Sequence, residues 1–423
     1  MDRFVIRGGK PLAGTISVSG SKNASLPIAV AAAILGTTDS VIRNVPDLRD
    51  VQTLRRLLRH LGTETEYSPA SHTLFVPASE SLGVEAPYEL VSQMRASIYV
   101  LGPLLARFGR AQVSFPGGCA IGTRPVDLHL RGMEALGAYV RVEHGYILAQ
   151  ARRLRGAEFS LRGPRGSSVG ATANVMMAAV LAEGTTVVHD AAREPEIVDL
   201  GRFLNRMGAR IEGLGSSTLV IQGVSTLRGA EHAVIPDRIE AASYLIAGAM
   251  TRGELRVSGA ERRHLSAVLA KLTEADVWVD WEGDTCRVTV PNGIRSVDVT
   301  TDTYPGFPTD VQAQFMGLMC LGDGVSRIRE RIFPDRFMHA LELQRLGANI
   351  QLGEGEAIVR GVPYLTGAPV MAGDLRAGMV LILAGLVARG ETVVSRVYHV
   401  DRGYERVEEK LRAVGADIVR VSE

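Results

Sequence analysis

Cysteine is scarce in this chain. There are three, Cys119, Cys286 and Cys320, an odd number, far apart and without a CxxC pair, which speaks against a disulfide framework and against a zinc site. Net charge is also nearly absent: 47 Lys and Arg face 46 Asp and Glu, leaving +1. No bulk field exists to attract nucleic acid or an anionic membrane, so any anion site must be local. The longest apolar runs, around Leu26 to Leu35 and Met379 to Ala388, fall short of the roughly 18 residues a membrane span needs. The opening Met1-Asp2-Arg3-Phe4 lacks the charged-then-apolar pattern of a secretory signal. HExxH, GxxxxGK[ST] and GxGxxG are missing, and no two histidines stand four apart, so neither a metal nor an organic cofactor is expected. These absences predict a soluble, cytoplasmic protein that binds no nucleic acid and does not insert into membranes.

What is present is repetition. The chain is Ala-, Val- and Leu-rich, with 46% hydrophobic but only 5% aromatic residues. Ala-rich helical runs close at Gly36, Gly109, Gly184, Gly253, Gly324 and Gly390, spaced by 66 to 75 residues. Each is followed by a short β-like run, a polar loop and an amphipathic helix ending in a turn such as Leu136-Gly137-Ala138 or Leu346-Gly347-Ala348, where glycine suits the left-handed residue a helix end requires. The fourth copy departs, reading Leu272-Thr273. Such self-similarity means one supersecondary unit stacked on its neighbours: an α/β chain of six units. The 423 residues predict two domains. The last unit lacks the two-strand hook that the N-terminal residues carry in excess, so residues 1–21 are expected to complete it. The predicted domains are 22–235, and a discontinuous one of 1–21 with 236–423.

The six Ala-rich helices begin at Ser21-Lys22-Asn23, Met94-Arg95-Ala96-Ser97, Ser167-Ser168, Asp237-Arg238, Pro308-Thr309-Asp310 and Asp374-Leu375-Arg376. Helix N-termini bind anions, and nearby cations add to the attraction. Ser168, Asp237 and Asp310 read more readily as plain caps than as parts of an anion site. Lys22, Arg95 and Arg376 suit capping less, because a cation there opposes the helix dipole. A second set of charges falls in the loops after each strand: Arg49, Cys119 with Arg124, Arg193 to Glu196, Arg336, and Asp401-Arg402-Gly403-Tyr404-Glu405. Together they describe either a polyanion site or a solvated charged rim. The stretch Pro116-Gly117-Gly118-Cys119-Ala120-Ile121-Gly122-Thr123-Arg124-Pro125-Val126-Asp127 stands out, since it sets a thiol among glycines near a guanidinium that favours its thiolate.

With Ser19-Gly20-Ser21-Lys22-Asn23-Ala24, Ala192-Arg193-Glu194-Pro195-Glu196, Phe307-Pro308-Thr309-Asp310 and Asp374-Leu375-Arg376-Ala377, these motifs resemble, in order and nearly end to end, the bacterial UDP-N-acetylglucosamine enolpyruvyl transferases. The resemblance implies a two-domain inside-out α/β barrel whose domains close on their substrates, with no metal or cofactor. It implies transfer of the enolpyruvyl group of phosphoenolpyruvate to the sugar 3-hydroxyl with loss of phosphate, the first committed step towards peptidoglycan precursors. Lys22, Arg124 and Arg402 would hold phosphoenolpyruvate, with Asn23 beside it. Arg95, Arg124, Pro125, Val126, Asp127, Leu128, Ser168, Val169, Asp310 and Ile332 would hold the nucleotide sugar, and Arg336, Asp374 and Arg376 join the substrate-binding set. Cys119 would be the acid and Asp310 the base. The chain departs from the family just before Ser168, where Gly166-Ser167 replaces the usual Lys-Val and Arg165 stands one place earlier. The alternatives are the sister reaction on shikimate 3-phosphate and a non-catalytic nucleotide-sugar-binding relative.

Overall fold

The computed structural model describes residues 2–116 and 126–422. They form six separate four-stranded sheets and two hydrophobic cores, one built from residues between Ala24 and Val234, the other from Phe4 to Ile16 with Ile239 to Ile418. The described residues divide into two compact units, 20–116 with 126–235 (the unit 20–235 below) and 2–19 with 236–422. Every sheet has one plan. The strand after the Ala-rich helix lies in the middle, a short strand pairs parallel on one side, and an antiparallel strand followed by a second one completes the other. Alternate residues of the central strands are buried, as in Arg110–Ser114 and Thr185–His189, which is the period-2 pattern of a sheet with one face on a core.

In the unit 20–235 the parallel strand of each sheet comes from the preceding repeat. Glu85–Ala86 joins Arg110–Ser114, Glu158–Ser160 joins Thr185–His189, and Glu231–Ala233 returns to join Ser40–Arg43. The three repeats thus close into a ring. The other unit closes the same way only by drawing on the N-terminus. Val299–Thr300 joins Val325–Arg329 and Pro369–Met371 joins Glu391–Ser395. Arg3–Arg7 then fills the antiparallel place between Glu391–Ser395 and Asp417–Val421, and Ala13–Ser17 runs on to pair parallel with Glu254–Ser258. The fold is therefore α/β with helices inside and sheets outside, and among the described residues no sheet closes on itself into a β-barrel.

The inner helices, Lys22–Leu35, Leu101–Phe108, Val169–Ala179, Arg238–Thr251, Thr309–Met319 and Leu375–Val387, are buried on nearly every face, which is why they are predominantly apolar and carry no polar stripe. The second is broken by a neighbour. Asn174 Nδ2 donates to the Ile98 carbonyl at 2.8 Å while its Oδ1 accepts from Gly102 N–H at 2.7 Å, so a side-chain amide is spliced into the bond that would join residues 98 and 102. The chain consequently runs as a 3₁₀ turn over Arg95–Val100 before it becomes α-helical.

Two details differ from the sequence reading. Only Gly36 and Gly109 directly follow their helices. Helix Arg238–Thr251 ends on Arg252 in the left-handed region, φ 50°, and Gly184 and Gly390 serve later turns at φ near 90°. The fourth amphipathic helix also keeps the family turn, displaced from Leu272-Thr273. Asp276 takes φ 59°, and Asp276 and Val277 N–H donate to the Thr273 and Leu272 carbonyls, as Gly347 and Ala348 donate to Gln344 and Leu343. Aspartate tolerates the left-handed conformation better than most residues, so a glycine pattern could not find it.

Candidate functional site

Of the residues expected to carry chemistry, Cys119, Arg124 and Pro125 lie outside the described residues. The rest divide between the two units.

In the unit 20–235, Ser21 caps its helix by accepting from Ala24 N–H, and its own N–H donates to the Ile235 carbonyl at 2.8 Å. Lys22, the first helical residue, meets the Asp50 carboxylate at 3.3 Å, with side chains only 13% and 5% exposed. The pair explains how a cation sits where the dipole opposes it: Asp50 supplies the countercharge from the first turn of helix Arg49–Leu61. Asn23 follows on the same turn, and Pro27 removes the N–H that would otherwise engage the Asn23 carbonyl. Arg95 opens the 3₁₀ turn. Val126 is buried, Asp127 begins the exposed end of helix Asp127–Ala135, and Leu128 is half-buried beneath Gly163. Ser168 accepts from Ala171 N–H at 3.2 Å and so caps the helix that Val169 begins. Arg165 stands exposed on the tight turn closed by Gly163 and Gly166.

In the other unit the structure brings four expected residues into one cluster. Asp310 lies in the first turn of helix Thr309–Met319. Its Oδ1 accepts from Arg336 Nη1 at 2.8 Å and its Oδ2 from Arg376 Nη2 at 3.1 Å. Both arginines are almost fully buried, at 7% and 4%, while the carboxylate keeps 29% exposure. Arg336 also donates to Thr309 Oγ1. Asp374 caps helix Leu375–Val387 by accepting from the Arg376 and Ala377 N–H groups. Burial works against the Arg376 charge, but Tyr404, Asp310 and Asp237 outweigh it, and the group sits above the ordinary arginine range. His339 is buried beside Asp374 and Arg336. Burial chiefly, and the Arg336 charge, push it down from 6.5 to about 4, with Asp374 opposing. The Ile332 N–H donates to Glu330 Oε1. Arg402 ends the 3₁₀ turn Val397–Arg402, and Gly403 follows where a Cβ would press on Leu375 Cδ2 at 2.7 Å.

Several residues that the sequence did not single out hold these groups in place. Arg420 grips Asp401 with two hydrogen bonds of 2.6 and 3.1 Å and also donates to Glu408. Buried Glu330 accepts from Thr301, Thr309 and the Ile332 and Phe333 N–H groups. Glu240, raised by burial, is met by Lys410 at 2.7 Å and by the Ser19 N–H. None carries a motif signal, because apart from the Ile332 and Phe333 N–H groups beside Glu330 the partners lie far off in sequence. Cys286 and Cys320 are buried and pushed up to about 12, which leaves them as inert thiols. Among the described residues no group of three or more His, Cys, Asp or Glu side chains is placed to hold a metal, and no helix is long and apolar enough to cross a membrane.

Comparison with known proteins places this geometry among enolpyruvyl transferases. Residues 6–411 match the EPSP synthase (3-phosphoshikimate 1-carboxyvinyltransferase) family. Curated relatives named UDP-N-acetylglucosamine 1-carboxyvinyltransferase are similar over full length. That of Sorangium cellulosum is 55% identical, covering 100% of this chain and 99% of the relative, and that of Koribacter versatilis is 52% identical, covering 100% and 97%. Among solved structures, the enolpyruvyl transferase NikO from Streptomyces tendae superposes with a TM-score of 0.90 at 28% identity over 100% of this chain and 99% of that one. EPSP synthase from Acinetobacter baumannii, at 16% identity, full coverage of both chains and a TM-score of 0.77, shares the fold.

Proposed function

The chain belongs to the EPSP synthase (3-phosphoshikimate 1-carboxyvinyltransferase) family, and from that premise we propose that it transfers the enolpyruvyl group of phosphoenolpyruvate to the 3-hydroxyl of UDP-N-acetylglucosamine, releasing phosphate. The observation that carries this acceptor is the identity of 52 to 55%, end to end, with relatives bearing that activity in their names, against 16% for EPSP synthase itself. The reaction commits the sugar to peptidoglycan precursors and belongs in the cytoplasm, where both substrates are made.

A proton adds to the methylene carbon of the enol, the neighbouring carbon becomes electrophilic, and the sugar oxygen bonds to it. The resulting tetrahedral intermediate loses phosphate by cleavage of its carbon–oxygen bond as a methyl proton departs, restoring the double bond. Cys119 is assigned the acid and Asp310 the base. Asp310 accepts from two arginines, an arrangement that favours the carboxylate form; a base so held is weak, and protonation of the enol makes a weak one sufficient. Lys22, Arg124 and Arg402, with Asn23, are assigned to phosphoenolpyruvate. Arg95, Arg124, Pro125, Val126, Asp127, Leu128, Ser168, Val169, Asp310 and Ile332 are assigned to the nucleotide sugar. Arg336, Asp374 and Arg376 complete the set through Asp310 and its neighbouring helix start.

Phosphate release from phosphoenolpyruvate, measured with UDP-N-acetylglucosamine and separately with shikimate 3-phosphate, tests the reading. Turnover with the nucleotide sugar alone is expected. Turnover with shikimate 3-phosphate, or with neither acceptor, overturns it.

A further inference from the structure

The five-residue motif Asp401-Arg402-Gly403-Tyr404-Glu405 places its tyrosine where no surface partner could use it. Tyr404 is 1% exposed, and its hydroxyl meets two inner helices. Gln314 Nε2 donates to it at 2.9 Å, and Ser243 Oγ lies 2.8 Å away. The Ser243 hydroxyl donates its own proton to the Ile239 carbonyl at 2.8 Å, so the phenol donates to Ser243 and accepts from Gln314. Gln314 also reaches back to the Asp310 carbonyl at 3.1 Å. Against this locked ring sits Arg376, its guanidinium carbon 5.3 Å from the ring centroid, and Arg376 is one of the two groups that hold the Asp310 carboxylate. A phenol kept above its ordinary pKa by burial stays neutral, so the contact is one of packing and dipole and does not add a second anion beside Asp310.

We propose that Tyr404, fixed by Gln314 and Ser243, is a positioning residue that holds Arg376 and through it orients the Asp310 carboxylate for the transfer reaction. The inference rests on the assignment of Asp310 as base made above. It gives the motif a second task besides presenting Arg402, in that the same turn sets the aim of the base.

The variants Tyr404→Phe, Asp310→Asn and their combination test it in the full-length enzyme. Tyr404→Phe keeps the ring and removes only the hydroxyl bonds. It is expected to lower kcat roughly tenfold, with KM for both substrates within about twofold and the melting temperature within a few degrees. Its acid limb of kcat against pH should move to higher pH, because a carboxylate less firmly held by Arg376 gives up its charge more readily. In the Asp310→Asn background the tyrosine substitution should have no further effect on kcat, since residues acting through one group are non-additive. If Asp310→Asn is impaired and Tyr404→Phe lowers its kcat by the same factor as in the wild type, the inference fails while the base assignment stands. If Asp310→Asn turns over normally, the base assignment fails first. Should Tyr404→Phe fold poorly, Ser243→Ala, which removes the acceptor of the phenol proton together with the serine's bonds to Ile239 and Gln314, is expected to give the same pH displacement at smaller size; an unmoved limb overturns the proposal.

Discussion

Asn174 and Gln314 stand at the same distance after the N-caps Ser168 and Pro308, and His129 and His339 at the same distance before Gly137 and Gly347. The repeats therefore reserve two buried polar places on each side, and the two units use them differently. In the unit 20–235, Asn174 satisfies the backbone of the neighbouring helix start and donates to His129 Nδ1 at 3.0 Å, a closed arrangement confined to structure. In the other unit the longer Gln314 reaches, besides the Asp310 carbonyl of its own helix, the side chains of Tyr404 and Ser243, while His339 has an Nε2 without a hydrogen-bond partner among the described residues and lies beside the charges around Asp310. One extra methylene separates a splint for a neighbouring backbone from a contact that reaches two side chains of other elements.

The largest expected effect breaks the splint. Asn174→Leu strands buried polar atoms on Gly102 and His129 and leaves the Ile98 carbonyl with the Leu101 N–H alone, and at about 1–3 kcal/mol for each unsatisfied group, less what the helix recovers by closing its own bond, should cost roughly 3 kcal/mol of stability. Gln314→Leu should cost about 1 kcal/mol by the same reasoning but reduce turnover more than it reduces stability. Urea midpoints and kcat for both variants decide; equal behaviour would erase the distinction drawn here.

Next comes the glycine pair at matching places in the inner helices. A Cβ on Gly102 would meet the Asn174 carbonyl oxygen at 2.3 Å, whereas one on Gly317 would meet side chains, the Val380 Cγ2 methyl at 2.7 Å and Met250 at ordinary contact distance. Gly102→Ala must separate two backbones, so a loss of about 2 kcal/mol is expected. Gly317→Ala gains roughly 1 kcal/mol in helix propensity against a movable side chain and should stay near neutral in the same unfolding experiment.

The histidines sharpen the comparison through pH. His339 is depressed to about 4 from an ordinary 6.5, so between those values the unfolded chain binds a proton that the folded one refuses, and stability falls as pH falls through that window. His339→Gln should flatten the urea midpoint between pH 6.5 and 4 by up to about one proton's worth of slope. An unchanged slope would show that another group titrates there.

Smallest is the displaced fourth turn. Asp276→Gly relieves a left-handed residue at φ 59° but gives up an exposed ion pair with Arg295 at 2.9 Å. A net gain of a few tenths of a kcal/mol is expected from the two opposed effects, read as a slightly higher melting temperature.

The six-unit α/β plan is legible because glycine turns, Ala-rich helices and alternating strands are local signals, each within one repeat. Helix starts are legible for the same reason: Ser21, Ser168, Asp237 and Asp374 cap as their residue types suggest. What escapes is set by geometry across sequence distance. Asp50 beside Lys22, Arg420 beside Asp401 and Gln314 beside Tyr404 are ordinary polar residues until the fold supplies a partner. Arg336 and Arg376 appear in the sequence as cations for a ligand, and only the structure reveals that both also hold Asp310.

The borrowed strand Arg3–Arg7 has a consequence for the order in which the molecule is made. Every strand of the unit 20–235 finds its partners within that unit, so its sheets can be complete while the remainder is still being synthesised. Arg3–Arg7 is made ahead of every other described strand but pairs with Glu391–Ser395 and Asp417–Val421, which follow all the other described strands. At about 5–20 residues per second, translation leaves this apolar segment without its sheet for roughly 20–80 s. A strand made ahead of its fellows is thus among the last to be placed, and the nascent chain must keep it from pairing elsewhere until Asp417–Val421 arrives.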